Sequence, residues 1–226
     1  MPIGIVTGAS RGLGLALARA LVERGWSLVV DARDGAALAE AAASLGEGAV
    51  TAIPGDVADP KHLEALVEAA GPRIDLLVNN ASLLGPSPQL PLADYPLDTL
   101  RRVYEVNVFA PLELTKRALP RMPDGAAIVN VTSDAGVEPY EGWGGYGSSK
   151  AALEQLTAIL TQEQPAKRVY TVDPGDMRTQ MHQEAFPDED ISDRPRPEES
   201  VPGLLALIEG ELPSGRYRAQ EVPVSG

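Results

Sequence analysis

Ile3-Gly4-Ile5-Val6-Thr7-Gly8-Ala9-Ser10-Arg11-Gly12-Leu13-Gly14 is the stretch that decides the fold. Its first four residues form a short apolar run that stops at Thr7-Gly8, the pattern of a buried strand. From Leu13 onward, apolar residues recur at helical spacing (Leu13, Leu17, Ala20, Leu21) until Gly25 ends the pattern. Between strand and helix the glycines are spaced G-x-x-x-G-x-G. Glycine there lets the backbone turn tightly and approach a pyrophosphate, whose charge a helix N-terminus attracts. A glycine-rich turn with no ligand is the competing reading of the motif alone.

Outward from this stretch the alternation repeats. Residues 28–30, 49–53, 74–78, 127–131 and 169–172 read as strands, with 216–218 a short last one. Helical patterns cover 35–45, 60–70 behind an Asp59 N-cap, 97–119 as one long helix, 146–162 and 198–209. Continuous apolar strands, each followed by a helix, are strands covered on both faces. This predicts an α/β fold, a doubly wound parallel sheet in three αβα layers with about seven strands. Segments 82–95 and 176–197 carry prolines and no clear period. Both follow strand C-terminal ends, where such folds bind ligands.

The chain has 226 residues, the size of one α/β domain. Residues 1–226 are expected to form one domain, with a substrate loop at about 176–197. The 44% hydrophobic and 23% charged content is too apolar for disorder. There is no cysteine, which excludes disulfides, thiolate metal sites and cysteine nucleophiles. The only histidines, His62 and His182, are too few for a three-histidine zinc site, and no metal is expected. A formal net charge of −13 opposes binding to nucleic acid or to anionic membranes. No apolar run approaches the ~18 residues that span a bilayer, and Met1-Pro2-Ile3-Gly4 lacks a basic leader segment. The expected location is the cytoplasm.

Three further places carry chemistry. Tyr146 and Lys150 are one helical turn apart, so both side chains share a face. An ammonium beside a phenol favours the phenolate and lowers its pKa, giving a general acid/base without histidine. Ser133 ends the fifth strand, where its hydroxyl can polarise a carbonyl; strand alternation turns the rival hydroxyl of Thr132 the other way. Asn107 lies between Val106 and Val108 in the long helix, and a buried amide there needs partners.

Thr7-Gly8-x-x-x-Gly12-x-Gly14, Asn79-Asn80-Ala81 and Tyr146-x-x-x-Lys150 together resemble the short-chain dehydrogenase/reductase family, in order and spacing, from Ile3 to about Ala219. The resemblance implies a Rossmann fold and hydride transfer between a nicotinamide dinucleotide and a carbonyl or secondary alcohol. It implies Ser133 polarising the oxygen, Tyr146 as general acid/base, and Lys150 stabilising the phenolate and binding the ribose. Asn107 would hold a relay water. Cofactor contacts are implied at Gly8, Ser10, Arg11, Gly12, Leu13, Gly14, Asp56, Val57, Asn79, Ala81, Tyr146, Lys150, Pro174, Gly175 and Thr179. It also implies a homodimer or homotetramer, joined through the helices that carry Asn107 and Tyr146.

An acidic residue at the end of the second strand binds the ribose hydroxyls of NAD, and an arginine there suits the 2′-phosphate of NADP. The sequence reads Asp31-Ala32-Arg33-Asp34. Aligned by resemblance, Ala32 takes the selector position with Arg33 next, and Arg11 is a second cation. The expectation is NADP(H) rather than NAD(H), although a one-residue slip would put Asp31 at the selector. Substrate walls are expected at 82–84, 135–143 and 176–191, with Tyr140, Trp143, Met177, Met181 and Phe186 as an apolar lining. Glu141 or Arg178 would meet a polar substituent. The leading reading is an NADP(H)-dependent carbonyl reductase or alcohol dehydrogenase acting on a small molecule. The alternative is a dinucleotide-binding redox sensor without catalysis.

Overall fold

The computed structural model describes residues 1–46 and 48–224. The strands are β1 (Ile3–Val6), β2 (Ser27–Ala32), β3 (Val50–Pro54), β4 (Leu76–Asn79), β5 (Ala127–Val131), β6 (Arg168–Asp173) and β7 (Gly215–Arg218). They form one parallel sheet in the order β3-β2-β1-β4-β5-β6-β7. Alternate residues of each strand face opposite layers. Val6, Val30, Val78, Val129 and Val172 pack beneath α1 (Gly12–Glu23) and α8 (Val201–Glu209). Ile5, Val29, Leu77, Ile128 and Val169 pack beneath α3 (Pro60–Ala70) and α5 (Ala110–Ala118). This is the three-layer αβα Rossmann architecture anticipated from the pattern.

The connection from β1 leads through α1 to β2, and that from β4 leads to β5 on the other side of β1. The order reverses between β1 and β4, and this switch point opens a crevice at the carboxyl ends of the strands.

Two expectations change. Residues 97–119 do not form one regular helix. They form α4 (Leu97–Tyr104), a π-turn (Glu105–Phe109) and then α5, which ends at Ala118. Pro111 has no N–H and cannot donate to the carbonyl four residues back, at Asn107. The backbone widens instead, and the Ala110 amide bonds the Glu105 carbonyl, five residues back. The acidic segment 176–197 also contains a helix, α7 (Gln180–Ala185), started by Thr179, whose hydroxyl accepts from the His182 amide at 3.2 Å. The remaining helices are α2 (Gly35–Ser44) and α6 (Gly144–Glu163).

Candidate active site

The glycine turn is built by its neighbours. Gly8 and Gly12 have φ of 68° and 57°, left-handed conformations that glycine alone adopts cheaply. A Cβ on Gly14 would collide with the Gly8 carbonyl oxygen, so the helix closes on the turn only because residue 14 has no side chain. Thr7 Oγ1 accepts from the amides of Asn80 and Ala81, each at 3.0 Å. The Asn80 side-chain Nδ2 donates to the Thr7 carbonyl at 2.8 Å and the Gly8 carbonyl at 3.1 Å. From the other side, Asp31 Oδ1 accepts the Gly8 amide at 2.7 Å.

A cavity of about 1080 Å³ runs along the strand ends over this turn. It brings together Gly8, Ser10, Arg11, Gly12, Leu13, Arg33, Asp56, Val57, Ala81, Ser133, Tyr146, Lys150, Pro174, Gly175 and Thr179. An elongated cleft over a glycine turn at a helix N-terminus fits a dinucleotide: the left-handed glycines expose backbone to its pyrophosphate, and Arg33 and Arg11 offer guanidinium groups to a phosphate.

Three expected site residues lie elsewhere. Gly14 does not line the cavity; it lies against Gly8. Asn79 is buried behind β4, where its amide donates to Asn130 at 2.7 Å and Thr115 at 3.3 Å. Its neighbour Asn80 lines the crevice instead. Strand alternation puts only one of the two asparagines on the cavity side, and the motif does not say which. Asn107 is buried and its amide is saturated. Oδ1 accepts from Leu83 N at 2.8 Å and Ser82 Oγ at 3.1 Å, and Nδ2 donates to Leu83 O at 2.9 Å and Ser149 Oγ at 3.0 Å. With every donor and acceptor of the amide engaged, it clasps the irregular segment after β4 and leaves no side-chain site for a relay water.

At the reactive end, Tyr146 and Lys150 are both buried. Lys150 Nζ donates to the Val131 carbonyl at 2.9 Å and lies 5.4 Å from the Tyr146 ring centroid. Burial pushes the Lys150 pKa down to about 8, against the opposing charge of Glu154. Burial also pushes the Tyr146 pKa well up; the Ser82 and Ser133 hydroxyls pull it down, while the charges of Asp173 and Asp134 add to the rise. Desolvation is the largest of these effects, so the net direction for Tyr146 is upward. Thr132 faces away, donating to Glu154 at 2.7 Å.

Asp134 is the residue that sequence reasoning passed over. Its Oδ1 accepts from Ser133 Oγ and from Ala135 N, each at 2.8 Å, and its Oδ2 accepts from Tyr140 at 2.9 Å. The Ser133 hydroxyl thus lies within hydrogen-bond reach of both this carboxylate and Tyr146. The only sequence signal was adjacency to Ser133. On the substrate side, Trp143 contacts Tyr140, Tyr146 and Phe186 with ring centroids 6.4, 5.9 and 5.6 Å apart. Met177, Met181, Phe186 and Arg178 also line the cavity, and Glu141 does not.

The family model for short chain dehydrogenases matches residues 3–190. The chain belongs to the short-chain dehydrogenase/reductase family. Among the relatives of this dehydrogenase, the benzil reductase ((S)-benzoin forming) of Saccharomyces cerevisiae is 33% identical over 192 residues, covering 80% of this chain and 73% of that one. A putative short chain dehydrogenase from Pseudomonas syringae superposes with a TM-score of 0.90 at 33% identity, covering 97% and 94% of the two chains. One from Shigella flexneri, complexed with NADP, superposes at 0.89 with 28% identity, covering 97% of each. Among the described residues of this family member, no helix is long and apolar enough to cross a membrane.

Proposed function

We propose that this short-chain dehydrogenase is an NADP(H)-dependent oxidoreductase that reduces a ketone or aldehyde, or oxidises the matching secondary alcohol. The observation carrying this reading is the convergence of Ser133, Tyr146 and Lys150 on the cavity that the glycine turn floors. Arg33 and Arg11 in the same cavity favour a 2′-phosphate, as does the NADP complex of the structural neighbour. When bound, the nicotinamide supplies the hydride in reduction and takes it in oxidation.

The chain's own groups handle the proton. Tyr146, kept neutral by burial, is poised as the acid that protonates a carbonyl oxygen. Lys150, its Nζ 5.4 Å from the Tyr146 ring centroid, then supplies a positive charge beside the phenolate, and its N–H donors beyond the one held by Val131 are free in valence for ribose hydroxyls. Ser133 polarises the substrate oxygen by turning its O–H away from Asp134. Asn107 acts by fixing Ser82 and Leu83 in the cavity wall. The aromatic group around Trp143 and the two methionines of 176–191 suit an apolar substrate body, with this loop as the substrate-facing segment. The enzyme acts as a homodimer or homotetramer through α4, the π-turn, α5 and α6, where Leu97, Phe109 and Ile159 are exposed.

The test is a panel of ketones and aldehydes with NADPH, following loss of the reduced cofactor. The parent turns over at least one of them. Tyr146→Phe lowers kcat by about 10²- to 10⁴-fold while NADPH still binds. NADPH binding with no turnover on any carbonyl would leave only a redox-sensing role.

A further inference from the structure

The adenosine end of the cavity is lined by three carboxylates, Asp31, Asp34 and Asp56. A carboxylate here repels a 2′-phosphate and attracts the ribose diol of a cofactor that lacks one. Asp34 is occupied as the N-cap of α2, accepting from the amides of Ala36 and Ala37 at 3.0 and 3.1 Å. Asp56 accepts from Ala58 N at 2.9 Å and is paired with Arg102. Asp31 ends the apolar part of β2 and is only 1% exposed. Its two oxygens go to different partners: Oδ1 to the Gly8 amide at 2.7 Å and Oδ2 to His62 Nε2 at 2.9 Å. Its carbonyl also accepts the Ala9 amide, at 2.9 Å.

His62 is buried on α3, beside Leu63 and Leu66 of the same core layer as Val29. Gly55, after β3, makes room for the imidazole, since a Cβ there would overlap the ring. We propose that His62 is a positioning residue for cofactor selectivity. Its hydrogen bond pins Asp31 between the glycine turn and α3, which keeps that carboxylate off the adenosine ribose and leaves the selector position to Ala32 and Arg33. A single side chain from the third helix thus decides whether the acid of β2 acts as a brace or as a ribose acceptor. The inference rests on the NADP(H) reading above and names a determinant of it.

The experiment measures, by calorimetry on the full-length protein, affinities for 2′,5′-ADP and 5′-AMP as probes of the adenosine site. The parent binds 2′,5′-ADP more tightly. His62→Leu, which frees Asp31, lowers the ratio of the two affinities by about tenfold, the scale of one uncompensated charge in a partly buried site. His62→Gln, which keeps a donor, restores most of the ratio. In Asp31→Asn the amide oxygen still accepts from Gly8, so the preference for 2′,5′-ADP is kept or increased. Adding His62→Leu to Asp31→Asn changes the ratio no further, because the released group carries no charge. An unchanged ratio in His62→Leu, or a drop that persists in the Asp31→Asn background, overturns the proposal. If His62→Leu does not fold, loss of the preference in Asp31→Asn alone overturns it. A parent that prefers 5′-AMP, or binds neither probe, removes the NADP(H) reading as well; a parent that prefers 2′,5′-ADP with unmoved variants removes only the role of His62.

Discussion

Lys150 is carried into the interior by α6 and meets a carbonyl of β5 there, so its charge is held where water would otherwise solvate it. The folded protein releases that proton near pH 8, whereas an unfolded lysine keeps it to about 10.5. Between these values the unfolded chain binds more protons, so this residue makes stability rise with pH across that window. Below pH 8 both states are charged and the full desolvation cost is present. Lys150→Met removes this contribution. The stability of the variant relative to the parent is therefore highest below pH 8 and declines as pH goes from about 8 to 10.5. Denaturant midpoints of both proteins across that range check it; a difference that stays flat with pH contradicts a strained, charged lysine. The residue types of the pair were legible in Tyr146-x-x-x-Lys150, but the direction of the Tyr146 shift was not. Spacing reports that a cation is near, and only packing reports how much water is lost.

The π-turn between α4 and α5 is where an element departs from its own pattern. Leu97 to Ala118 keeps a helical period throughout, so periodicity alone sees one helix. The widening is legible only in retrospect, in Pro111 and in an asparagine flanked by valines. Such turns recur at functional sites. Here it carries the amide that pairs with the backbone of Leu83 as a neighbouring strand would. Asn107→Ala strands the Leu83 amide and carbonyl, while the Ser149 hydroxyl keeps its bond to the Tyr146 carbonyl. We expect a loss of about 2–4 kcal/mol in urea unfolding, the scale of buried polar groups left unsatisfied. A loss below about 0.5 kcal/mol, the range of ordinary surface substitutions, would show that this clasp does not hold the loop.

Over the whole molecule, acidic charge and exposed apolar residues are distributed differently. The net charge of −13 keeps copies apart at long range, while Leu97, Phe109 and Ile159 stand 64%, 50% and 45% exposed on one helical layer. Apolar residues of that size on α4, the π-turn and α6 favour burial against another copy. Light scattering on the parent is expected to give a dimer or tetramer. Phe109→Glu, which places a charge in that contact, shifts the population to the smaller species by at least about tenfold in dissociation constant, as an unpaired interfacial charge does. An unchanged mass distribution would place the contact on another face.

The amino-acid sequence by itself determined the strand count, the parallel sheet and the glycine turn, because each is written in short-range patterns: apolar runs, helical spacing and residues without side chains. It also named Ser133, Tyr146 and Lys150, whose spacing survives folding. Tertiary structure alone decided which of Asn79 and Asn80 faces the crevice, and that Asp31 is tied to His62 across 31 positions of chain. Those outcomes depend on which distant groups meet and on how much water they exclude, and no local pattern encodes either.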